Sequence, residues 1–105
     1  MPRLTKPHTV FGKRLRDART RLGIPQDKLG VLIGIDEGSS SARISRYETG
    51  IHEPPFPIAE RLAAALEVSV AYFYCPDERL AALIAKYDSL TEPQKRRLAA
   101  DSGSR

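Results

Sequence analysis

Short apolar stripes, each ended by a glycine or a proline, constrain the fold of this chain more than any other feature of its sequence. The first stripe has the spacing of one helix face and comprises Phe11, Leu15, Ala18 and Leu22. Thr9 is placed to cap the start of that helix, and Gly23 followed by Pro25 ends it. The residues between the stripe positions include four basic ones, Lys13, Arg14, Arg16 and Arg21. No segment shows the alternation of a strand, so the sequence predicts an all-α fold.

The second and third helices are predicted to be short and close together in the chain. The second covers 26–33, ends at Gly34, and has an apolar face made of Leu29, Leu32 and Ile33. The third covers 41–48, ends at Gly50, and has an inward face of two residues only, Ile44 and Tyr47. A helix with so small an apolar face is not stable alone. We therefore expect the neighbouring helices to hold it in place.

Three or four further helices complete the predicted set. A fourth begins at Pro57, since proline suits the first helical turn, and its stripe is Ile58, Leu62, Ala65 and Leu66. Ser69 is placed to cap a short fifth helix, which ends before Pro76. The sixth has apolar residues at i, i+3, i+4 and i+7, namely Leu80, Leu83, Ile84 and Tyr87. Thr91 is placed to cap a last helix of one or two turns, which ends near Ala100.

Composition excludes several classes of protein. The chain has 105 residues, which is the size of one small domain. No apolar run approaches the roughly 20 residues that span a bilayer, and the N-terminus lacks the apolar stretch of a signal peptide. Cys75 is the single cysteine, so an internal disulfide is excluded and the reducing cytoplasm is the expected location. No membrane association is predicted.

The distribution of charge favours a polyanionic partner. The net charge is +4, from 17 basic and 13 acidic residues. Residues 1–50 hold ten lysines and arginines against five acidic residues, and residues 51–105 hold seven against eight. The positive charge is thus concentrated in the first half, which suits nucleic acid.

Catalysis and metal binding find little support in the residues. His8 and His52 are far apart, and neither has a nearby serine or cysteine with a supporting acid. One cysteine and two distant histidines match no metal-ligand spacing, so no metal, no cofactor and no enzymatic activity are predicted. Cys75 follows three consecutive aromatic residues. Its predicted role is that of a half-buried packing residue, and the alternative is a redox switch.

Three segments of the chain together resemble the Xre/Cro (lambda-repressor-like) family of DNA-binding regulators. They are GIPQDKLGVLIG, ISRYETG and PIAERLAAALEVSVAYF, and the resemblance covers residues 10–75. It implies a five-helix lambda-repressor-like DNA-binding domain, followed here by one or two extra C-terminal helices over 76–100. Residues 1–9 are expected to form a flexible basic arm, and residues 101–105 a disordered tail. The implied function is a transcriptional regulator, with repression as the default.

The resemblance also implies roles for individual residues. Gln26 matches a glutamine that holds a DNA phosphate from the start of the second helix. Four residues match positions that face the major groove from the third helix, which we call the recognition helix: Ser41, Ala42, Ser45 and Arg46. Arg46 is the strongest candidate for base recognition among them, because its guanidinium fits the O6/N7 edge of guanine. Arg43 is expected to reach a phosphate. Arg19 and Glu48 match a structural pair that joins the first helix to the end of the third.

This chain departs from the family between the second and third helices. Nine residues separate Gly34 from Ile44, where the compact family form has five. The four additional residues are predicted either to form a bulged turn or to lengthen the start of the recognition helix. Asp36 and Glu37 would repel DNA unless they are turned away from it. Pro25 is a second departure, since the family usually has a capping serine or threonine at that position.

Double-stranded DNA and a second copy of the chain are the expected partners. A monomer that binds one half-site binds weakly, so the stripe Leu80, Leu83, Ile84 and Tyr87 is predicted to pack against the domain and a partner subunit. The homodimer would bind a palindromic operator. The alternative is an antitoxin, whose main task is to mask a toxin protein.

Overall fold

The computed structural model describes residues 9–103, which form seven α-helices joined by short connections. These are α1 (Val10–Arg21), α2 (Gln26–Leu32), α3 (Glu37–Thr49), α4 (Phe56–Leu66), α5 (Val70–Phe73), α6 (Glu78–Asp88) and α7 (Glu92–Gly103). No strand occurs within this range, so the predicted all-α class is confirmed there. Residues 1–8 of the predicted arm and residues 104 and 105 of the predicted tail lie outside it. Among the described residues, every helix is too short or too polar to serve as a transmembrane span.

The start and end of α1 follow the sequence signals. The Thr9 hydroxyl oxygen accepts a hydrogen bond from the backbone N–H of Gly12 at 2.9 Å, so the predicted cap is confirmed. The helix ends at Arg21, and Gly23 then adopts a left-handed conformation with φ of 70°. A residue with a side chain would be strained in that conformation.

The core lies where the first five helices meet. Its largest fully buried apolar side chains come from five helices and are Leu15, Leu29, Ile44, Leu62 and Phe73. Two leucines of the first two stripes are exposed, because each lies at the very end of its helix, where the chain turns away from the core. These are Leu22, which is 46% exposed, and Leu32, which is 63% exposed.

Arg14 is buried, although the sequence placed it among the polar positions of α1. It is 2% exposed and lies on the same helix face as Phe11 and Leu15. Its guanidinium donates hydrogen bonds to the backbone oxygens of Cys75 (2.9 Å) and Pro76 (3.3 Å) and to Glu78 Oε1 (3.1 Å). The hydrogen bond from Arg14 to Glu78, followed by one from Lys13, holds the pKa of the Glu78 carboxyl below its ordinary value. A buried cation with three acceptors thus joins α1 to the start of α6.

The stripe of α6 packs against the domain less than predicted. Ala81 is buried and Ile84 and Ala85 are half-buried, whereas Leu80 is 50% exposed and Leu83 is 65% exposed. Tyr87 is 38% exposed, and the Lys95 ammonium lies 5.4 Å from the centre of its ring. The helix therefore faces the domain through Ala81, Ile84 and Ala85, and most of the predicted stripe faces outward.

The ends of two later helices also differ from prediction. Ser69 precedes α5, but its side chain accepts no capping bond and instead donates one to Asp88. The last helix, α7, continues to Gly103, three residues beyond the predicted end near Ala100. It buries none of its residues. The first part of the predicted disordered tail is therefore helical.

Two glycines permit close approach to α3 from its neighbouring helices. A Cβ atom added to Gly12 would lie 2.1 Å from the backbone oxygen of Glu48, and one added to Gly30 would lie 1.8 Å from Ser40 Oγ. The latter would also lie 2.8 Å from Ser40 Cβ, so a rotation of the serine side chain cannot relieve the overlap. The absence of a side chain at both positions lets α1 and α2 pack directly on α3.

We predict that Gly30→Ala destabilises the protein by about 1–3 kcal/mol, because overpacking at a close helix contact forces the backbones apart. Gly38→Ala is the matched control, since its added Cβ would meet only Asp36 Oδ2 at 3.4 Å. Urea unfolding measures both free energies. Equal stability of the two variants would contradict the role assigned to Gly30.

Candidate nucleic-acid interface

The added residues lengthen the recognition helix α3 at its start. The helix begins at Glu37, four residues before the predicted start at Ser41. Four residues correspond to about one helical turn. The Asp36 carboxylate caps this turn by accepting a hydrogen bond from Gly38 N at 3.3 Å. Of the two predicted alternatives, the structure therefore shows a lengthened helix, and Ser41 and Ala42 lie in its second turn.

The inward face of α3 is larger than the two residues predicted. It comprises Ser40, Ile44, Tyr47 and Glu48, all buried. The Ser40 hydroxyl donates a hydrogen bond to the backbone oxygen of Asp27 at 2.6 Å, which joins α3 to the first turn of α2. Sequence reasoning missed Ser40 because it is polar. Its position four residues before Ile44, on the same helix face, was the available signal.

The outward face of α3 carries the residues predicted to contact bases. Ala42 and Arg46 each lie about 200° around the helix from the buried Ile44, and both are exposed. The remaining predicted contacts lie on either side of the line that joins Ala42 and Arg46 along the helix surface. They are the exposed Ser41 and Arg43 and the half-buried Ser45. Ala42, Arg43 and Arg46 therefore share the outward face, whereas Ser41 and Ser45 lie at its edge, where Ser41 contacts Gln26 of α2.

Gln26, the predicted phosphate contact, lies at the start of α2 and is half-buried. Its side-chain Nε2 donates a hydrogen bond to Glu48 Oε1 at 3.1 Å. Its Oε1 accepts a hydrogen bond from the Ser41 hydroxyl at 3.3 Å. The preceding Pro25 provides no side-chain cap, consistent with its departure from the family pattern. Both ends of the Gln26 amide are thus oriented by α3.

Arg19 and Glu48 form a bidentate ion pair between α1 and the last turn of α3. The distances are 2.5 Å from Arg19 Nε to Glu48 Oε2 and 3.2 Å from Nη2 to Oε1. Arg19 Nη1 also donates to the backbone oxygen of Ile24 at 2.9 Å. The Glu48 side chain is only 4% exposed. The sequence predicted this pair, but it did not predict that Glu48 also accepts a hydrogen bond from the Gln26 amide.

Charges of opposite sign lie at opposite ends of the recognition helix. Asp36 and Glu37 stand at its start and Arg46 in its last turn, about 15 Å away along the helix axis. Arg46 is thus separated from the acidic added turn. A polyanion that approaches this face is attracted at the arginine end and repelled at the start of the helix.

The class of helix-turn-helix proteins is defined by two short helices that cross closely. The second of them packs on the domain through one face and leaves its opposite face accessible. The chain belongs to the helix-turn-helix family, because that domain family matches residues 10–72. The chain is also similar to a solved structure described as transcriptional regulator BswR, at 47% sequence identity and a TM-score of 0.79. That similarity covers 85% of this chain and 88% of BswR. A search of curated protein sequences finds no match.

We predict that Arg19→Ala lowers the free energy of unfolding by about 3 kcal/mol, because it leaves the buried Glu48 carboxylate without its cation. Arg43→Ala is the matched control on the exposed face, and its effect is expected to stay within about 0.5 kcal/mol. Thermal and urea unfolding measure both. A change in Arg19→Ala as small as that in the control would show that the pair contributes little to stability.

Proposed function

We propose that this chain is a sequence-specific double-stranded DNA-binding regulator of transcription of the Xre/Cro type. The observation that carries the proposal is the outward face of α3, where Arg46 is exposed while Glu48 and Ile44 hold the opposite face in the core. Membership of the helix-turn-helix family supports this use of α3. The similarity to BswR, a transcriptional regulator, supports the regulatory role.

In the proposed complex, α3 enters the major groove and Arg46 binds the O6/N7 edge of a guanine. Ala42, one turn earlier on the same line, suits apolar contact with a thymine methyl group. Gln26 and Arg43 bind phosphates on either side and fix the register of the helix. Since the Ser41 hydroxyl already donates to Gln26, it contributes mainly by orienting that amide. Ser45, being half-buried, contributes at the edge of the contact.

The proposed complex must keep the added turn away from the phosphates. The carboxylates of Asp36 and Glu37 lie at the start of α3, and they would repel DNA that approached along the helix axis. The helix therefore lies along the groove with its middle and last turns closest to the bases. This placement favours Arg46 over the residues near the helix start as the principal determinant of sequence.

The proposed regulator acts as a homodimer through the outward face of α6. Leu80, Leu83 and Tyr87 leave a continuous apolar surface on one side of the helix. A symmetric contact between two such faces would place the two recognition helices on neighbouring major grooves of a palindrome, with half-sites about 34 Å apart. Occupation of an operator in this way blocks transcription, so repression is the proposed action.

Arg46→Ala is expected to weaken binding by about 1–3 kcal/mol and to relax the preference at one base pair of each half-site. Arg43→Ala is the matched control on the same face. It is expected to weaken binding to all sequences alike and to reduce the slope of log affinity against log salt by about 0.9 for each phosphate that the protein no longer neutralises. Selection of DNA from a random pool, followed by titration at several salt concentrations, measures both effects.

Two results would contradict the proposal. Selection of no preferred sequence by the parent protein would exclude sequence-specific binding. An unchanged sequence preference in Arg46→Ala would move base recognition to other residues of α3, the first being Ala42.

Leu83→Asp is expected to convert the dimer to a monomer, because it places a carboxylate at the centre of the proposed interface. Leu32→Asp is the matched control, since Leu32 is 63% exposed and Leu83 is 65% exposed, but Leu32 lies on α2. Light scattering at tens of micromolar protein measures the mass of each. A monomeric parent protein that copurifies with a second small protein would instead favour the antitoxin hypothesis.

A further inference from the structure

α6 rests on the domain through three apolar side chains, two of them alanines, and leaves crevices on both sides. Ala81 is the one residue of α6 that is buried, and Ile84 and Ala85 are half-buried against the core. A crevice of about 260 Å³ lies between α1 and the first half of α6, next to Asp17 and Ala82. A second, of about 410 Å³, lies between the end of α1 and the end of α6. Apolar packing alone therefore constrains the direction of α6 weakly.

Polar contacts fix both ends of α6 instead. At its start, the buried Arg14 of α1 donates to the backbone oxygens of Cys75 and Pro76 and to the Glu78 carboxylate. Lys13 Nζ also lies 3.2 Å from Glu78 Oε2. These contacts are directional, because the guanidinium is planar and donates along fixed axes. They set the position at which α6 leaves the domain.

The end of α6 is held by Asp88. Its Oδ2 accepts a hydrogen bond from the backbone N–H of Ser69 at 2.8 Å, and its Oδ1 accepts one from the Ser69 hydroxyl. Asp88 and Ser69 are both half-buried. Ser69 immediately precedes α5, whose Phe73 is fully buried in the core. The second end of α6 is thus attached to a rigid part of the domain.

The same helix that holds the start of α6 also holds the recognition helix. On α1, Arg14 faces α6, whereas Arg19 pairs with Glu48 at the end of α3. Gly12, near the start of α1, lies against the backbone of Glu48. A change in the direction of α6 relative to α1 is therefore a change relative to α3 as well.

We propose that the contacts Arg14–Glu78 and Ser69–Asp88 set the distance between the two half-sites that the protein accepts, by fixing the direction of α6 relative to α3. This inference rests on the proposed dimer through α6. Neighbouring base pairs lie about 3.4 Å apart along the DNA axis, so a rotation of α6 that changes the distance between the two recognition helices by this amount changes the accepted spacing by one base pair. Glu78 and Asp88 are positioning residues that touch no base or phosphate.

The experiment compares Glu78→Ala, Asp88→Ala and the double variant with the parent, and Glu60→Ala is the control. Glu60 is an exposed acidic residue of α4, and no hydrogen bond or ion pair among residues 9–103 joins it to α6. The probes are palindromes built from the half-site selected by the parent, with the spacer at its optimum or one base pair longer or shorter, and the single half-site alone. Thermal unfolding confirms that each variant is folded.

The parent and Glu60→Ala are expected to prefer the optimal spacer by roughly tenfold, equivalent to about 1.4 kcal/mol. The Glu78 and Asp88 variants are expected to reduce this preference to less than about threefold, while their affinity for the single half-site stays at the parental value. A variant whose domain is only destabilised would instead bind every probe more weakly by the same factor.

Three results would overturn the inference, and they distinguish it from the proposed dimer. If all variants keep the parent's sharp preference for one spacer length, or if they lose the same factor of affinity for every probe, the positioning role is overturned and the proposed dimer is unaffected. A parent protein without any spacing preference overturns both the dimer and this inference.

Discussion

The buried carboxylate of Glu48 is the interaction on which the arrangement of the first three helices depends. Arg19 binds it from α1, and Gln26 binds it from the start of α2, while Glu48 itself belongs to α3. A carboxylate that is 4% exposed is costly to bury unless it is paired and hydrogen-bonded, and here both of its oxygens are satisfied. The three helices are therefore fixed relative to one another by a directional contact as well as by packing.

This arrangement explains how a recognition helix with few apolar residues keeps a defined orientation. Ile44 and Tyr47 supply its apolar burial, and Ser40 adds a close contact that only the absence of a side chain at Gly30 permits. The opposite face needs no residue for stability, so its side chains are free to serve recognition. The added turn at Glu37 lengthens the helix without disturbing this division, because four residues correspond to about one helical turn and leave the inward face in line.

Much of the fold and part of the candidate site followed from local sequence patterns. Periodicity and end signals located the helices to within a few residues, and Thr9 was identified as a cap because capping depends only on neighbouring residues. The exposure of Arg46 followed from its position relative to Ile44 within one helix. The pairing of Arg19 with Glu48 came from the family resemblance, since residues 29 apart in the chain share no local pattern.

The sequence by itself thus determined the all-α class, the order of the helices and the polar face of α3, because a period of 3.6 residues is a property of the chain within each helix. Only the tertiary structure decided that Arg14 is buried, that Ala81 and Ala85 of α6 face the domain, and that the added residues continue α3. The physical reason is that these outcomes depend on contacts between distant segments. Arg14 and Glu78, for example, are 64 residues apart, and their pairing is set by how α1, α5 and α6 pack together.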